Sequence, residues 1–418
     1  VTQMSREYDR ATKLPPELVE EVARVASQSH HAWAAARKAD DFATFQPLLE
    51  RMLELHRERA AAFGYDASPY DALVDEYEPG ETADSIATVL DGLQAELAPL
   101  VREIVDSGRA APSELTRRAF PVATQREFGK AAAAAIGFDF TAGSLDVTPH
   151  PFCGDAGPKD VRLTTRFDEH NFCDGFFSIL HEAGHGLYEQ GLPDDWFGLP
   201  PGTAISLGVH ESQSRMWENL VGRSRGFWRR YFPLLQEAFP AATAGVDPDD
   251  WWFAINEARP SLIRVDSDEA TYNLHIVVRF RLERAMIEGD LSVGDLPAAW
   301  NDAYTDVVGA TPPSDADGCL QDVHWSMGAI GYFPTYALGN LHAAQLYDQA
   351  EADLGDLEGA YAAGDFAPLL GWLRDRVHAV GQRLSAGALT ERITGKPLSH
   401  EPLVRRLRAK FGPLYKLS

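Results

Sequence analysis

A chain of 418 residues with 45% hydrophobic content has apolar side chains enough for a large core, arranged as one large unit or two lobes. Its net charge of −24, from 62 acids against 38 bases, argues against nucleic acid or an anionic membrane as partner. With neither a run of about 18 uninterrupted apolar residues nor a charged-then-apolar leader, a membrane span and export are not expected, and the reading is a cytoplasmic protein. Only seven of the bases are lysine, a balance that suits a salt-loving host and that a GC-rich genome explains equally well. Three cysteines, Cys153, Cys173 and Cys319, form no C-x-x-C and read as buried free thiols.

The first third is helical in pattern. Leu14 to Ala39, Phe42 to Phe63 and Ser85 to Val105 carry apolar residues at helical spacing, with a Pro-Gly breaker at Pro79-Gly80. The run Ala131 to Ala135 suggests tight helix packing. Between Phe138 and Phe167 the texture changes. Leu145 to Phe152 and Val161 to Phe167 are β-like and are separated by C-G-D-A-G-P-K-D, so a short hairpin or small sheet is expected. Such a strand offers an edge along which an extended peptide can pair.

That sheet runs straight into F-C-D-G-F-F-S-I-L-H-E-A-G-H-G-L-Y-E-Q-G, Phe172 to Gly191. Phe172, Phe176, Ile179, Leu180, Ala183 and Leu187 recur at three- and four-residue steps, and Gly191 is placed as a C-cap. His181 and His185, four apart, leave the same helix face, whereas Glu182 projects about 100° away, placed to touch a water beside a metal rather than the metal. Glu189 continues the series, but eight residues rise about 12 Å, too far for the same ion. The third ligand must come from elsewhere. Glu211, in the next helical stretch, is the leading choice and Glu218 its rival.

From Gly202 onward the pattern is helical, broken by P-A-A-T-A-G-V-D-P-D-D and G-A-T-P-P-S-D-A-D-G, neither of which reads as a linker between independent domains. A terminus-selective peptidase needs a cation for the substrate carboxylate and donors for the developing oxyanion. Arg264 offers the first. Gln321, Asp322, His324, Tyr332 and Tyr336 lie in the stretch that offers the second. The basic finish R-R-L-R-A-K reads as a solvated helix face.

Several motifs stand in order along the chain. His150-Pro151-Phe152 matches H-P-F; Asp160, Arg162 and Thr164 match D-x-R-x-T; His181, Glu182 and His185 match H-E-x-x-H. His210-Glu211-Ser212-Gln213 matches H-E-[SG]-Q, and Gly318, Gln321, Asp322, His324 and Trp325 match G-x-x-Q-D-x-H-W. Ile263-Arg264-Val265-Asp266-Ser267-Asp268 departs from I-R-x-x-A-D only at Ser267. In these motifs nearly the whole chain resembles the M32 family of metallocarboxypeptidases, the Taq-type thermostable carboxypeptidases.

The resemblance implies a mainly α fold: a helical saddle with a deep active-site groove, like neurolysin and angiotensin-converting enzyme, with a small β-hairpin or sheet beside the metal helix. It implies a single peptidase domain over residues 1–418 that lacks the family's N-terminal helices, peptide substrates and a homodimer. It implies one zinc ion per chain, with cobalt as the alternative, held by His181, His185 and Glu211, and Glu182 as general base and then acid. Arg264 would take the substrate's C-terminal carboxylate, assisted by Arg162, with Gln321 and His150 also in the substrate site. His324 and a tyrosine, Tyr336 rather than Tyr332, would stabilise the oxyanion. Asp322 is expected as the carboxylate behind a ligating histidine. Against these stand plainer readings: His324 as a core histidine, Arg264 paired to Asp266 or Asp268, and His150 holding its strand. The rival functions are an endo-oligopeptidase on the same metal site and a non-catalytic scaffold with a structural metal. Structural zinc sites usually take four protein ligands, and no fourth Cys or His lies near this pair.

Overall fold

The computed structural model describes residues 2–417, and 66% of it is helical. The chain divides into two compact units, each assembled from two separate stretches of sequence. One runs up to Asp106 and is completed by Ala258–Ala337; the other comprises Ser107–Glu257 and the chain from Leu338 onward. Each unit therefore draws on two distant stretches of sequence.

In the first unit, Pro16–Ala39 and Phe42–Phe63 form a helical hairpin. Its tight link puts Asp40 in the left-handed region, φ 55°, and the Asp41 N–H closes onto the Ala36 carbonyl. Ala83–Asp106 follows. The helix Tyr272–Glu288 is buried on nearly every side, from Tyr272 through Ile287. The segments carrying Arg264, His324 and Tyr336 lie in this unit.

The second unit is built around the H-E-x-x-H helix, Phe172–Glu189. Its apolar face joins an aromatic core in which Phe172 stacks on Phe176 and meets Trp251 and Phe239 edge-on. Val122–Ala135 packs alongside, with Ala132 and Ala133 fully buried. A Cβ at Gly129 would lie 2.3 Å from Ile179, so the small residues do bring two helices close.

The sheet has three strands, β1 Gly143–Val147, β2 Cys153–Asp155 and β3 Val161–Thr165, in the order β1-β3-β2. β1 runs parallel to β3, and the hairpin is β2 with β3. The strand expected from Leu145 to Phe152 stops at Val147, because Pro149 and Pro151 cannot donate to a ladder. Thr164 repairs the gap: its hydroxyl accepts the Phe152 N–H, and its own N–H reaches the Phe152 carbonyl.

Gly191 is not a left-handed cap. The metal helix ends through Gln190 in right-handed geometry, and Gly191 is small because a Cβ there would sit 2.2 Å from the His378 ring.

Candidate active site

Two helices of the second unit make the candidate metal cluster. Leu207–Arg215 is capped by the Ser206 hydroxyl, which accepts the Val209 N–H, and runs on into the π-helical turn Met216–Val221. It lies against the H-E-x-x-H helix at a point where a Cβ on Gly184 would be only 2.6 Å from the Gln213 carbonyl oxygen and the Ser214 Cα. From the other side, a Cβ on Gly339 would be 2.5 Å from the Glu211 side chain. Two glycines thus make room for one carboxylate.

That carboxylate is Glu211. Its Oε2 is 3.4 Å from His185 Nε2 and 3.7 Å from His181 Nε2, and the three ligand atoms lie within 4.8 Å of one another. Tetrahedral zinc with bonds of about 2.1 Å separates its ligand atoms by roughly 3.4 Å, so the residues present fit such an ion. Glu211 Oε1 is turned away and accepts from Arg215 Nε at 2.7 Å.

The far sides of both histidines are also occupied, which fixes their tautomers. His181 Nδ1–H donates to Glu218 at 2.9 Å. Behind His185 stands a chain of two links: Glu189 can only accept, so His210 Nε2 carries the proton it donates at 2.6 Å. His185 Nδ1 in turn lies 2.6 Å from His210 Nδ1 and 3.1 Å from the His210 carbonyl oxygen, which can only accept, so His185 Nδ1 carries a proton. Both Nε2 lone pairs are left pointing at the cluster. Glu218 is therefore the outer partner of His181, and Glu189, too far along the helix to bind, acts behind His185.

Electrostatics follow this geometry. Burial pushes both Glu211 and Glu218 up, but Arg215 and the histidines outweigh it, holding Glu211 well below the usual carboxylate range and Glu218 at about 2. Glu182 is different. It makes no hydrogen bond among the described residues, and burial raises its carboxyl to about 7.

The first unit holds Arg264, Gln321, Asp322, His324, Tyr332 and Tyr336. Arg264 is buried, and its partner is neither Asp266 nor Asp268. Its Nε and one terminal nitrogen donate to Asp322 Oδ1 at 3.0 and 2.8 Å, and the other terminal nitrogen to Tyr272 at 3.0 Å. Asp268 instead accepts the N–H groups of Arg259, Ala270 and Thr271. His324 Nε2 lies 3.0 Å from the Tyr336 hydroxyl, and burial lowers its pKa to about 4, so the ring is neutral at pH 7. Tyr332 stacks edge-on against Tyr336.

Four further expected residues are placed as follows. Asp322 is not behind a ligating histidine: its oxygens go to Arg264 and Arg279, whereas Glu218 and His210 take that place. Gln321 is spent within the chain, its oxygen accepting from the Arg264 N–H and Arg279, its amide donating to the Leu262 and Asp317 carbonyls. Arg162 is exposed and forked onto Asp160, two residues back and just ahead of β3. His150 is exposed in the stretch between β1 and β2.

Sequence reading missed His210, Glu189, Gly184 and Arg279. Glu189 and His210 were visible as a carboxylate four residues past one ligand and a histidine beside another. Gly184 showed as a glycine inside a helical pattern, which usually signals close packing.

The carboxypeptidase Taq (M32) metallopeptidase family matches residues 1–411. Thermostable carboxypeptidase 1 of Thermus thermophilus is 47% identical over 99% of this chain and 83% of its own length; Carboxypeptidase 1 of Bacillus subtilis is 39% identical over 99% and 82%. Among solved structures, the M32 carboxypeptidase of Deinococcus radiodurans R1 superposes with a TM-score of 0.96 at 44% identity, covering 98% of this chain and 82% of that one. The carboxypeptidase of Pyrococcus furiosus gives 0.94 at 36%, covering 97% and 82%. The mainly α fold with its small sheet is the fold of these enzymes. This chain belongs to the M32 family, and it is a metallocarboxypeptidase.

Proposed function

We propose that the chain is a zinc-dependent carboxypeptidase that releases single amino acids from peptide C-termini. The observation that carries this reading is the convergence of His181 Nε2, His185 Nε2 and Glu211 Oε2 with the outward nitrogen of each histidine already engaged. Three protein ligands leave a place for substrate or water, as catalytic zinc sites do. When bound, zinc supplies a Lewis acid that polarises a carbonyl and acidifies water.

The chain's own residues do the rest. Glu182, with no hydrogen bond to hold it elsewhere, takes a proton from the attacking water and delivers it to the leaving amine. His324, neutral and bonded to Tyr336, shares with it the role of donor to the developing oxyanion. Arg264 receives the terminal carboxylate. Asp322 is the only carboxylate paired to Arg264 or Arg279 among the described residues, so two guanidinium groups share one acid and a positive charge remains.

The test is metal analysis of the purified protein together with digestion of one unlabelled peptide read by mass spectrometry. One zinc per chain and a ladder of single C-terminal losses are expected. Internal fragments would move the reading to an endo-oligopeptidase, and an intact peptide with metal bound would leave only a scaffold.

A further inference from the structure

The helix Tyr272–Glu288 carries three ionisable residues, His275, Arg279 and Glu283, at successive four-residue steps. All three have zero exposure, so they form a polar stripe on one face of a buried helix. Ionisable groups survive such burial only when their hydrogen-bonding capacity is met inside the protein. Here the bonds go to a particular place. Arg279 donates to Asp322 Oδ2 and Gln321 Oε1, each at 2.6 Å, and its remaining nitrogen to the His275 carbonyl and the Tyr304 hydroxyl at 2.9 and 3.1 Å. Glu283 accepts from Trp325 Nε1 at 2.6 Å and from the Gly331 N–H at 2.7 Å. The segment from Gln321 to Gly331, with His324 inside it, is therefore pinned at both ends by one helix face.

Arg279 and Arg264 hold the same two residues. Gln321 Oε1 accepts both Arg279 and the Arg264 backbone N–H; Asp322 gives Oδ2 to Arg279 and Oδ1 to Arg264. Arg279 is fully committed within the chain, so it has no donors to spend on a ligand. Its effect on Arg264 is indirect and has two parts. It fixes the carboxylate that orients the Arg264 fork, and it claims half of that carboxylate's charge. Without it, Asp322 is free to close on Arg264 alone and neutralise it.

We propose that Arg279 is the positioning residue that keeps Arg264 aimed and electrostatically available for a peptide's C-terminal carboxylate. This rests on the assignment of Arg264 given above.

The experiment compares kcat/KM for one peptide as the free acid and as its C-terminal amide, using the metal-loaded protein and its Arg264→Ala, Arg279→Lys, Arg279→Gln and Glu283→Gln variants. Metal content and cooperative unfolding are checked for each. Arg264→Ala should lower the acid-over-amide ratio on the order of 100-fold or more. Arg279→Gln should lower it at least about tenfold, and adding it to Arg264→Ala should cost no further ratio, because both act through one contact. Arg279→Lys restores the charge without the fork and should recover part of the ratio. Glu283→Gln touches neither Gln321 nor Asp322, and should depress turnover of both peptides while keeping the ratio.

A wild-type protein that does not discriminate acid from amide overturns the carboxylate assignment and this proposal with it. If Arg264→Ala loses the ratio while both Arg279 variants keep it, the positioning role alone is overturned, and the same holds if Glu283→Gln loses the ratio as much as Arg279→Gln. Should Arg279→Gln fail to fold, Arg279→Lys decides.

Discussion

At the scale of single residues, the proposed mechanism separates side chains that would hold a metal from one that would move a proton. Glu182→Gln removes the proton carrier without removing a ligand. It should bind metal at full stoichiometry and lose turnover by at least about 100-fold, the usual span of general acid–base catalysis; rapid hydrolysis at full metal occupancy would assign the proton elsewhere. Glu211 and Glu218 make a second comparison. Glu211→Ala deletes a ligand atom that lies 3.4 Å from His185 Nε2, whereas Glu218→Ala deletes only the acceptor behind His181. Metal titration should show Glu218→Ala weakened roughly 10- to 100-fold and Glu211→Ala far more. The shared face of His181 and His185 in the candidate metal cluster was legible because helical spacing is a local rule: four residues apart means one face. Their outer partners were only half legible. Glu218 was noticed as a rival ligand, but its place behind His181 depends on the path of a second helix, which no local rule supplies.

At the scale of elements, glycines decide how closely the two ligand-bearing helices approach. A methyl group at Gly184 would meet backbone atoms at 2.6 Å, and backbone cannot step aside as a side-chain tip can. Gly184→Ala should cost about 1–3 kcal/mol, as overpacked cores do, and should weaken metal binding because it displaces the helix that carries Glu211; unchanged denaturation midpoint and metal affinity would show that the helices can separate without consequence. The buried helix Tyr272–Glu288 makes the opposite case, where polar residues rather than small ones set the geometry. Burial pushes its Glu283 up to about 7, although Tyr70, Gly331 and Trp325 each donate to the carboxylate and pull it down. A folded pKa above the unfolded value of about 4.3 means that the native state binds the extra proton, so stability contributed by this group falls as pH rises from about 4.3 to 7. Measured against Glu283→Gln, wild type should lose up to about 3 kcal/mol more unfolding free energy across that window. A flat difference would mean that the three donors keep Glu283 ionised throughout. Periodicity found the helices Phe42–Phe63 and Phe172–Glu189 closely, because an apolar stripe marks each one. The same rule said nothing of Tyr272–Glu288 as a polar keel, since a helix buried on every side has no stripe. It also placed a strand across Pro149 and Pro151, where the ladder stops.

At the scale of the whole molecule, apolar periodicity and the family resemblance foretold a mainly α chain with a small sheet beside the H-E-x-x-H helix. The division into two units that each draw on distant stretches of sequence was not legible, because chain order does not reveal which helices return to complete an earlier core. That division has a thermodynamic consequence. His181, His185 and Glu211 all belong to the second unit, so a metal ion bound by them stabilises the native form of that unit directly, by RT ln(1 + [M]/Kd). At a metal concentration about 1,000 times Kd this is about 4 kcal/mol. Removing the ion also leaves Glu182, Glu211 and Glu218 together, with Arg215 and Arg223 as their nearby cations. Stripping with a chelator, followed by amide hydrogen exchange, should therefore lower protection most in Phe172–Glu189 and Leu207–Arg215, which hold the ligands. Tyr272–Glu288, whose Arg279 and Glu283 are bonded to neighbours in the first unit, should lose much less. Restoring zinc should recover the protection of the ligand helices, and the recovery should saturate at one ion per chain. Equal loss of protection in all three helices would show that the chain opens as one cooperative body, with the two units energetically inseparable.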